Sequence, residues 1–167
     1  MFGLSKKKKN NESEKNTFTL VSAIDGTLLP LSHVPDPVFA EKMAGDGVAI
    51  DPTGDTVVAP ADGVLSLVFK TKHAFALTLD NGIEILVHVG LETVALNGDG
   101  FEQLVEAGGR VKAGTPILKI DRELIKSRGC SLITPMLITN PDITTSITLV
   151  ESSKAIAGST IAITYTI

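Results

Sequence analysis

From Thr17 onward, short apolar runs alternate with turn residues along this chain. The runs are rich in Val, Ile, Leu and Thr, and the 15 glycines and eight prolines are spread along the chain as breaks. Short β-branched runs with such boundaries are typical of strands, so the pattern predicts an all-β fold, an antiparallel β-sandwich or barrel with a few short helical turns. The predicted strands are residues 17–22, 27–31, 48–50, 57–59, 64–69, 74–79, 83–89, 116–120, 131–137, 147–150 and 159–165.

Three segments carry helical signals instead. Residues 37–42 begin with a proline, which is favourable at the first position of a helix. The turn at 97–100 offers an N-cap for a predicted short helix at residues 101–106. Asp121 is predicted to cap one further helical turn that ends at Ile125.

The two runs at 74–79 and 83–89 are separated by Asp80-Asn81-Gly82, a strong signal for a tight β-hairpin. A hairpin of this length folds the second run back beside the first. It can therefore bring His73 and His88 onto neighbouring strands.

Alternation along the hairpin predicts which side chains accompany each histidine. In the second run, His88 lies on the face opposite the β-branched residues, together with Glu84 and Leu86. Residues 71–75 at the start of the first run are also predicted to be strand-like. They and the residues before them are predicted to present four side chains on one face: Phe69, Thr71, His73 and Phe75. A threonine hydroxyl beside an imidazole can hold the ring in one tautomer, which makes Thr71 a candidate partner of His73.

The distribution of charge separates the first 16 residues from the rest. Residues 1–16 hold five lysines and two glutamates, a net charge of +3, whereas the remaining chain holds ten basic and seventeen acidic residues, a net charge of −7. An acidic domain lacks the basic face that nucleic-acid binding requires. We therefore predict a disordered basic leader at 1–16, with at most weak contact to anionic membrane, and one folded domain at 17–167.

Cysteine content and hydropathy bear on location. The single cysteine, Cys130, excludes an internal disulfide and fits a reducing compartment. No apolar run approaches the roughly 20 residues that cross a bilayer. The sequence thus predicts a cytoplasmic protein.

Two histidines in a depression with an apolar rim suit either a metal site or a phosphoryl-transfer site. A catalytic zinc ion normally has three protein ligands. The candidates for a third ligand show no typical ligand spacing, which leaves a zinc hydrolase with little support; they are His33, Asp36, Asp46 and Glu92. Phosphoryl transfer needs one neutral imidazole as nucleophile and donors that hold the phosphoryl oxygens, and His88 with His73 and Thr71 provides both.

Motifs over about residues 18–165 resemble the glucose-family IIA components of the bacterial phosphoenolpyruvate:sugar phosphotransferase system. They lie at residues 34–50, 59–63, 71–75 and 82–94. The resemblance implies a phosphotransferase in which HPr phosphorylates His88, and His88 passes the group to a IIB domain of a sugar permease. It also implies that His73 stabilises the phosphoryl group, that Thr71 orients His73, and that the backbone carbonyl of Gly90 holds the other ring nitrogen of His88.

The resemblance further implies a docking rim for partner proteins around His88. Its members are Asp36, Val38, Phe39, Met43, Phe69, Glu92 and Val94. No cofactor is required, although His73 and His88 could bind a zinc ion shared with a partner. The alternative function is a regulatory module that uses the same face to control other enzymes or transporters.

Overall fold

The computed structural model describes residues 16–167, so the predictions for residues 1–15 lie outside the described part of the chain. The strands in this range are β1 (Thr17–Val21), β2 (Gly26–Pro30), β3 (Asp46–Pro52), β4 (Thr56–Val58), β5 (Gly63–Val68), β6 (Ala74–Thr78), β7 (Glu84–His88), β8 (Phe101–Gln103), β9 (Arg110–Val111), β10 (Pro116–Ile120), β11 (Thr134–Ile138), β12 (Ser146–Leu149), β13 (Lys154–Ala155) and β14 (Ile161–Thr166). The α-helices are α1 (Pro37–Ala40) and α2 (Arg122–Ser127), and 3-10 helices lie at Leu31–His33, Thr93–Leu96 and Pro141–Ile143. No helix in the described range has the length and hydropathy needed to cross a bilayer.

The strands form three antiparallel sheets around one large core. The eight-stranded sheet has the order β13-β2-β3-β11-β7-β6-β5-β9, and the smaller sheets have the orders β1-β14-β12 and β4-β10-β8. The core contains apolar residues from all three sheets, such as Ile163 of β14, Leu118 of β10 and Val87 of β7. The predicted fold class, an antiparallel β-sandwich with short helices, is confirmed.

A second, smaller apolar cluster lies on the opposite, outer face of the eight-stranded sheet. Alternation along β3 directs Val48 and Ile50 to the large core and leaves Ala49 for this cluster. Its buried members are Leu31, Val34, Phe39, Ala49, Leu91 and Leu137. Because Phe39 belongs to α1 and Leu91 follows β7, the cluster holds α1 against the end of β7.

The predicted hairpin is present. β6 and β7 pair so that Ala74 is opposite His88 and Thr78 is opposite Glu84. The Asn81 side chain stabilises the turn between them, because its Oδ1 accepts a hydrogen bond from the Ile83 N–H at 3.1 Å. The predicted alternation also holds, since the β-branched residues of the second run are buried while Glu84 is exposed.

The predicted helix at 101–106 is wrong, because Phe101–Gln103 is strand β8 and pairs with β10. The preceding loop explains the difference. Asn97, Gly98 and Gly100 all have positive φ, and this turns the chain toward the sheet. Phe101 then enters the core while Glu102 remains exposed, which is a strand pattern.

The segment that carries Thr71 and His73 is a turn and not part of a strand as predicted. The N–H of Lys72 donates to the Phe69 carbonyl at 2.8 Å, and Lys72 itself has a φ of 57°. Phe75 therefore does not share a face with His73 but is fully buried in the core.

Smaller differences concern the ends of elements. β11 begins at Thr134, later than predicted, and the short strands β9 and β13 are not predicted from the sequence. Helix α2 does begin after Asp121 as predicted, because the Asp121 carboxylate accepts a hydrogen bond from the Leu124 N–H at 3.1 Å.

Candidate functional site

The two histidines meet edge to face at one end of the hairpin. Their ring centroids are 4.9 Å apart and their planes are inclined by 79°. His88 is the last residue of β7, and His73 directly precedes β6. A backbone hydrogen bond of 2.7 Å from the Val89 N–H to the His73 carbonyl fixes the two segments to each other.

The hydrogen bond of His88 defines its tautomer. Nδ1 lies 2.8 Å from the carbonyl oxygen of Gly90. A carbonyl can only accept, so Nδ1 carries the proton and Nε2 of the neutral ring is left with a free lone pair. Burial lowers the pKa of His88, while the Gly90 hydrogen bond and the Asp36 carboxylate act in the opposite direction. The neutral ring, with Nε2 as a nucleophile, is therefore the main form at neutral pH.

Gly90 is needed at its position for two reasons. Its φ of 74° lies in the left-handed region that favours glycine. A Cβ atom at this position would also lie 2.6 Å from the Ser131 carbonyl oxygen and 2.6 Å from Cγ2 of Thr93. The same Ser131 carbonyl accepts a hydrogen bond of 3.0 Å from the Leu91 N–H, so the turn is fixed on both sides of Gly90.

His73 is more deeply buried than His88, with 3% of its surface exposed. Its Nδ1 lies 2.6 Å from the hydroxyl of Thr71, and the Phe69 ring packs against its edge. Burial, and next the nearby His88, lower the pKa of His73 to about 4. His73 is thus neutral at physiological pH. When the Thr71 hydroxyl donates to Nδ1, Nε2 carries a proton that can be donated to an anionic group beside His88.

The predicted rim residues lie on both sides of this pair. Asp36 caps α1 through a hydrogen bond from the Val38 N–H at 3.0 Å, and Glu92 is exposed immediately before the 3-10 helix that contains Val94. Val38, Val94 and Met43 are exposed apolar side chains. Phe39 differs from them because it is 6% exposed and its ring centroid lies 5.1 Å from that of His88. Phe39 therefore supports the His88 ring from below the surface.

A row of apolar side chains beside the histidines had no predicted role in the site. Leu67 pairs with Ala76, and Ala76 pairs with Leu86, across β5, β6 and β7. Alternation along β7 places Leu86 on the same face as His88, and this pattern could have identified the row from the sequence. The row extends the apolar rim across the outer face of the sheet.

The candidates for a third metal ligand are not assembled into a metal site with the histidine pair. Among residues 16–167, no group of three or more His, Cys, Asp and Glu side chains is arranged to hold a metal ion. The ligand set of a zinc hydrolase is thus not formed within this part of the chain.

Comparison with known proteins identifies the family. The family described as phosphoenolpyruvate-dependent sugar phosphotransferase system, EIIA 1, matches residues 18–144. The chain belongs to this EIIA family. The PTS system glucose-specific EIIA component of Bacillus cereus is 49% identical over 148 residues, which cover 89% of this chain and 90% of that relative. The solved structure of glucose permease IIA from Mycoplasma capricolum superposes with a TM-score of 0.83 at 36% identity, covering 89% of this chain and 96% of that one.

Membership of the EIIA family makes the protein a phosphotransferase that carries phosphoryl groups in sugar transport. A longer relative indicates the partner. The PTS system N-acetylglucosamine-specific EIICBA component of Klebsiella pneumoniae is 46% identical over 146 residues, which cover 87% of this chain and 22% of that protein. An EIIA domain is thus joined to EIIB and EIIC in one polypeptide in that relative, which supports an EIIB or permease component as the partner of EIIA components.

Proposed function

We propose that this protein accepts a phosphoryl group from HPr on Nε2 of His88 and passes it to the IIB domain of a glucose-family sugar permease in the cytoplasm. The proposal rests on the hydrogen bond between His88 Nδ1 and the Gly90 carbonyl, which leaves Nε2 unprotonated. Resemblance to the family supports a phosphohistidine of HPr as donor and a cysteine of IIB as acceptor.

Both transfers are direct displacements at phosphorus. The Nε2 lone pair of His88 attacks the phosphorus atom, a new N–P bond forms, and the N–P bond of the HPr phosphohistidine breaks with its electron pair returning to the HPr imidazole. Since Nε2 carries no proton, none has to be removed first. In the second transfer a cysteine thiolate forms an S–P bond, and His88 leaves as a neutral imidazole that still holds its proton on Nδ1.

The side chains around His88 have separate roles in these transfers. His73, oriented by Thr71, donates its Nε2 proton to a phosphoryl oxygen. Asp36 and Glu92 repel the added phosphoryl charge of about −1.5 to −2 and attract basic groups of a partner. The apolar rim then packs against the partner through the exposed side chains of Val38, Met43 and Val94 and the half-buried Phe69.

The same imidazoles can supply two ligands to a zinc ion shared with a partner protein. Neutral imidazole nitrogens are common zinc ligands, and the two rings lie 4.9 Å apart. Zinc on Nε2 of His88 would block phosphorylation there. We therefore expect zinc, added together with such a partner, to slow phosphorylation of His88 and chelation to restore it; an unchanged rate would reject this role.

Incubation with phosphoenolpyruvate, enzyme I and HPr, followed by intact-mass measurement, tests the nucleophile. We expect wild type to gain one phosphoryl group and His88→Ala to gain none. His33→Gln, which changes an exposed histidine outside the site, is the matched control and should behave like wild type. A phosphorylated His88→Ala protein would overturn the assignment.

The role of His73 requires both transfers to be measured separately. We expect His73→Gln to accept phosphate from HPr but to pass it slowly to a IIB domain, because a glutamine amide can donate a hydrogen bond but cannot move a proton between two ring nitrogens as His73 can. Equal onward rates in His73→Gln and wild type would reject this role. Phosphorylation without onward transfer to any IIB domain would favour the regulatory alternative.

A further inference from the structure

A buried hydroxyl lies directly behind the hydrogen bond between His88 and Gly90. Thr93 is fully buried, and its Oγ1 donates to the Val89 carbonyl oxygen at 2.6 Å. Buried polar side chains are retained where they satisfy a specific partner. The phosphoryl-transfer chemistry proposed above does not use this residue.

The carbonyl that Thr93 contacts belongs to the peptide between Val89 and Gly90. The next peptide lies between Gly90 and Leu91. Its carbonyl, on Gly90, accepts the hydrogen bond from His88, and its N–H, on Leu91, donates to the Ser131 carbonyl. Each of the two consecutive peptides is thus held by a hydrogen bond to a group outside them. Glycine has a wide choice of backbone conformations, so these bonds are what select the observed one.

The Thr93 methyl group reinforces the same arrangement by packing. Cγ2 lies 2.6 Å from the place that a Cβ on Gly90 would take, so it occupies the space immediately beside the glycine. The Ser131 carbonyl oxygen occupies an equally close position. The turn at Gly90 is therefore held by the hydroxyl of Thr93 and packed by its methyl group.

We propose that Thr93 is a positioning residue for His88, whose hydroxyl fixes the Val89–Gly90 peptide, aims the Gly90 carbonyl at Nδ1 and so keeps the proton off Nε2. Without this hydroxyl the Gly90 carbonyl turns away, and the tautomer with the proton on Nε2 becomes populated. That tautomer has no free lone pair at Nε2 and cannot attack phosphorus. The catalytic consequence rests on the proposed function, whereas the tautomer of His88 is a property of this protein alone.

Two substitutions separate the hydroxyl from the methyl group. Thr93→Val removes the hydroxyl at nearly constant shape, and Thr93→Ser keeps the hydroxyl and removes the methyl. Long-range ¹H–¹⁵N NMR of the His88 ring at neutral pH reports which nitrogen is protonated. We expect Nδ1 protonation in wild type and Thr93→Ser. In Thr93→Val we expect a mixture of tautomers and phosphorylation by phospho-HPr slower by on the order of tenfold.

Ser22→Ala is the matched control for the loss of a buried hydrogen bond. The Ser22 hydroxyl is fully buried and donates to the Ile24 carbonyl at 2.8 Å, outside the eight-stranded sheet. We expect this variant to lose stability but to keep the wild-type tautomer and phosphorylation rate. A change of tautomer in Ser22→Ala would overturn the proposal, because the effect would then follow from any loss of stability.

The remaining outcomes are also decisive. A folded Thr93→Val protein with the wild-type tautomer and rate overturns the proposal. If Thr93→Val does not fold, the test rests on Thr93→Ser, which retains the hydroxyl. Loss of the Nδ1-protonated form of His88 in Thr93→Ser overturns the proposal, and persistence of that form supports it. If the tautomer shifts as expected but wild type is not phosphorylated, the positioning role stands and the proposed function fails.

Discussion

At the scale of single residues, the two imidazoles differ in the group that holds Nδ1. His88 donates to a backbone carbonyl, which can only accept, whereas His73 faces the Thr71 hydroxyl, which can donate or accept by rotation. His73 can therefore change which nitrogen carries its proton when an anionic group arrives, but His88 keeps its tautomer. One imidazole with a fixed tautomer beside one adaptable imidazole suits a group that is received and then released.

Burial of His73 makes the stability of the protein depend on pH. The pKa of His73 falls from 6.5 when exposed to about 4 in the fold, so the unfolded chain binds more protons between these values. The contribution of His73 to the free energy of unfolding then increases with pH by up to about 1.4 kcal/mol per pH unit. This contribution is complete above pH 6.5 and is lost as the pH falls toward 4. His88, whose pKa burial also lowers, adds a slope of the same sign.

Urea denaturation between pH 4 and 6.5 measures this slope. We expect His73→Gln to reduce it, because the contribution of His73 is then absent. His33→Gln, at an exposed position, is the control. A His73→Gln variant with the slope of wild type would contradict the prediction.

Gly90→Ala should lower the free energy of unfolding strongly, because it combines backbone strain with a steric clash. We expect a loss of about 3 kcal/mol from the left-handed φ and the displacement of Ser131 and Thr93. Gly129→Ala isolates the strain, because its φ is 81° but a Cβ there meets nothing within 4 Å, and about 1 kcal/mol is expected. Equal unfolding free energies for the two variants would show that the close contacts do not matter.

The sequence brought out the candidate nucleophile and its neighbours more readily than the residues that support them. His73 and His88 are prominent because a short hairpin separates them. Residue spacing and hydroxyl chemistry pointed to Thr71, and motif resemblance added Gly90. Thr93 has no such signal, since a threonine hydroxyl bonded to the carbonyl four residues earlier looks like any small polar residue in a loop.

At the scale of elements, the rim around His88 is built from α1, from the 3-10 helix at Thr93–Leu96 and from the outer face of β5, β6 and β7. Met43, just after α1, is 70% exposed, and Ile156, just after β13 at the far edge of the sheet, is 64% exposed. We expect Met43→Asp to slow phosphoryl transfer about tenfold, equivalent to about 1.4 kcal/mol, without loss of stability. Ile156→Asp should leave the rate unchanged, and equal slowing in both variants would argue against a docking rim at Met43.

Elements with local signals were predictable, whereas elements formed by distant pairing were not. The β6–β7 hairpin follows from a turn sequence between two apolar runs. In contrast, β8 has three residues and exists through its pairing with β10, where Gln103 lies opposite Leu118. A segment this short fits a helix or a strand equally well until its partner is known.

At the scale of the whole molecule, the charge of the domain should govern association with partners. The chain after residue 16 carries a net charge of −7, and Asp36 and Glu92 lie at the site. We expect the second-order rate of phosphorylation to fall as salt rises, since screening weakens attraction to a basic partner. The doubly substituted Asp36→Asn, Glu92→Gln protein should be slower at low salt and less sensitive to salt.

Substitution of two exposed carboxylates elsewhere, Glu106→Gln with Glu151→Gln, gives the same change in net charge. If this control alters the salt dependence as strongly as the site variant does, overall charge and not its placement controls the rate.

The pairing of β1 with β14 has a consequence for how the chain can be cut and rejoined. Thr17 lies opposite Thr166, so residues 16 and 167 are near neighbours, and Asn81 at the far end of the hairpin from His88 bonds to Tyr165 of the same strand. A linker of a few residues can therefore join the end of β14 to the start of β1 without disturbing the histidines. A circular permutant that lacks residues 1–15 and is opened at an exposed loop, such as Glu106–Ala107, would keep the sandwich intact while running β14 directly into β1.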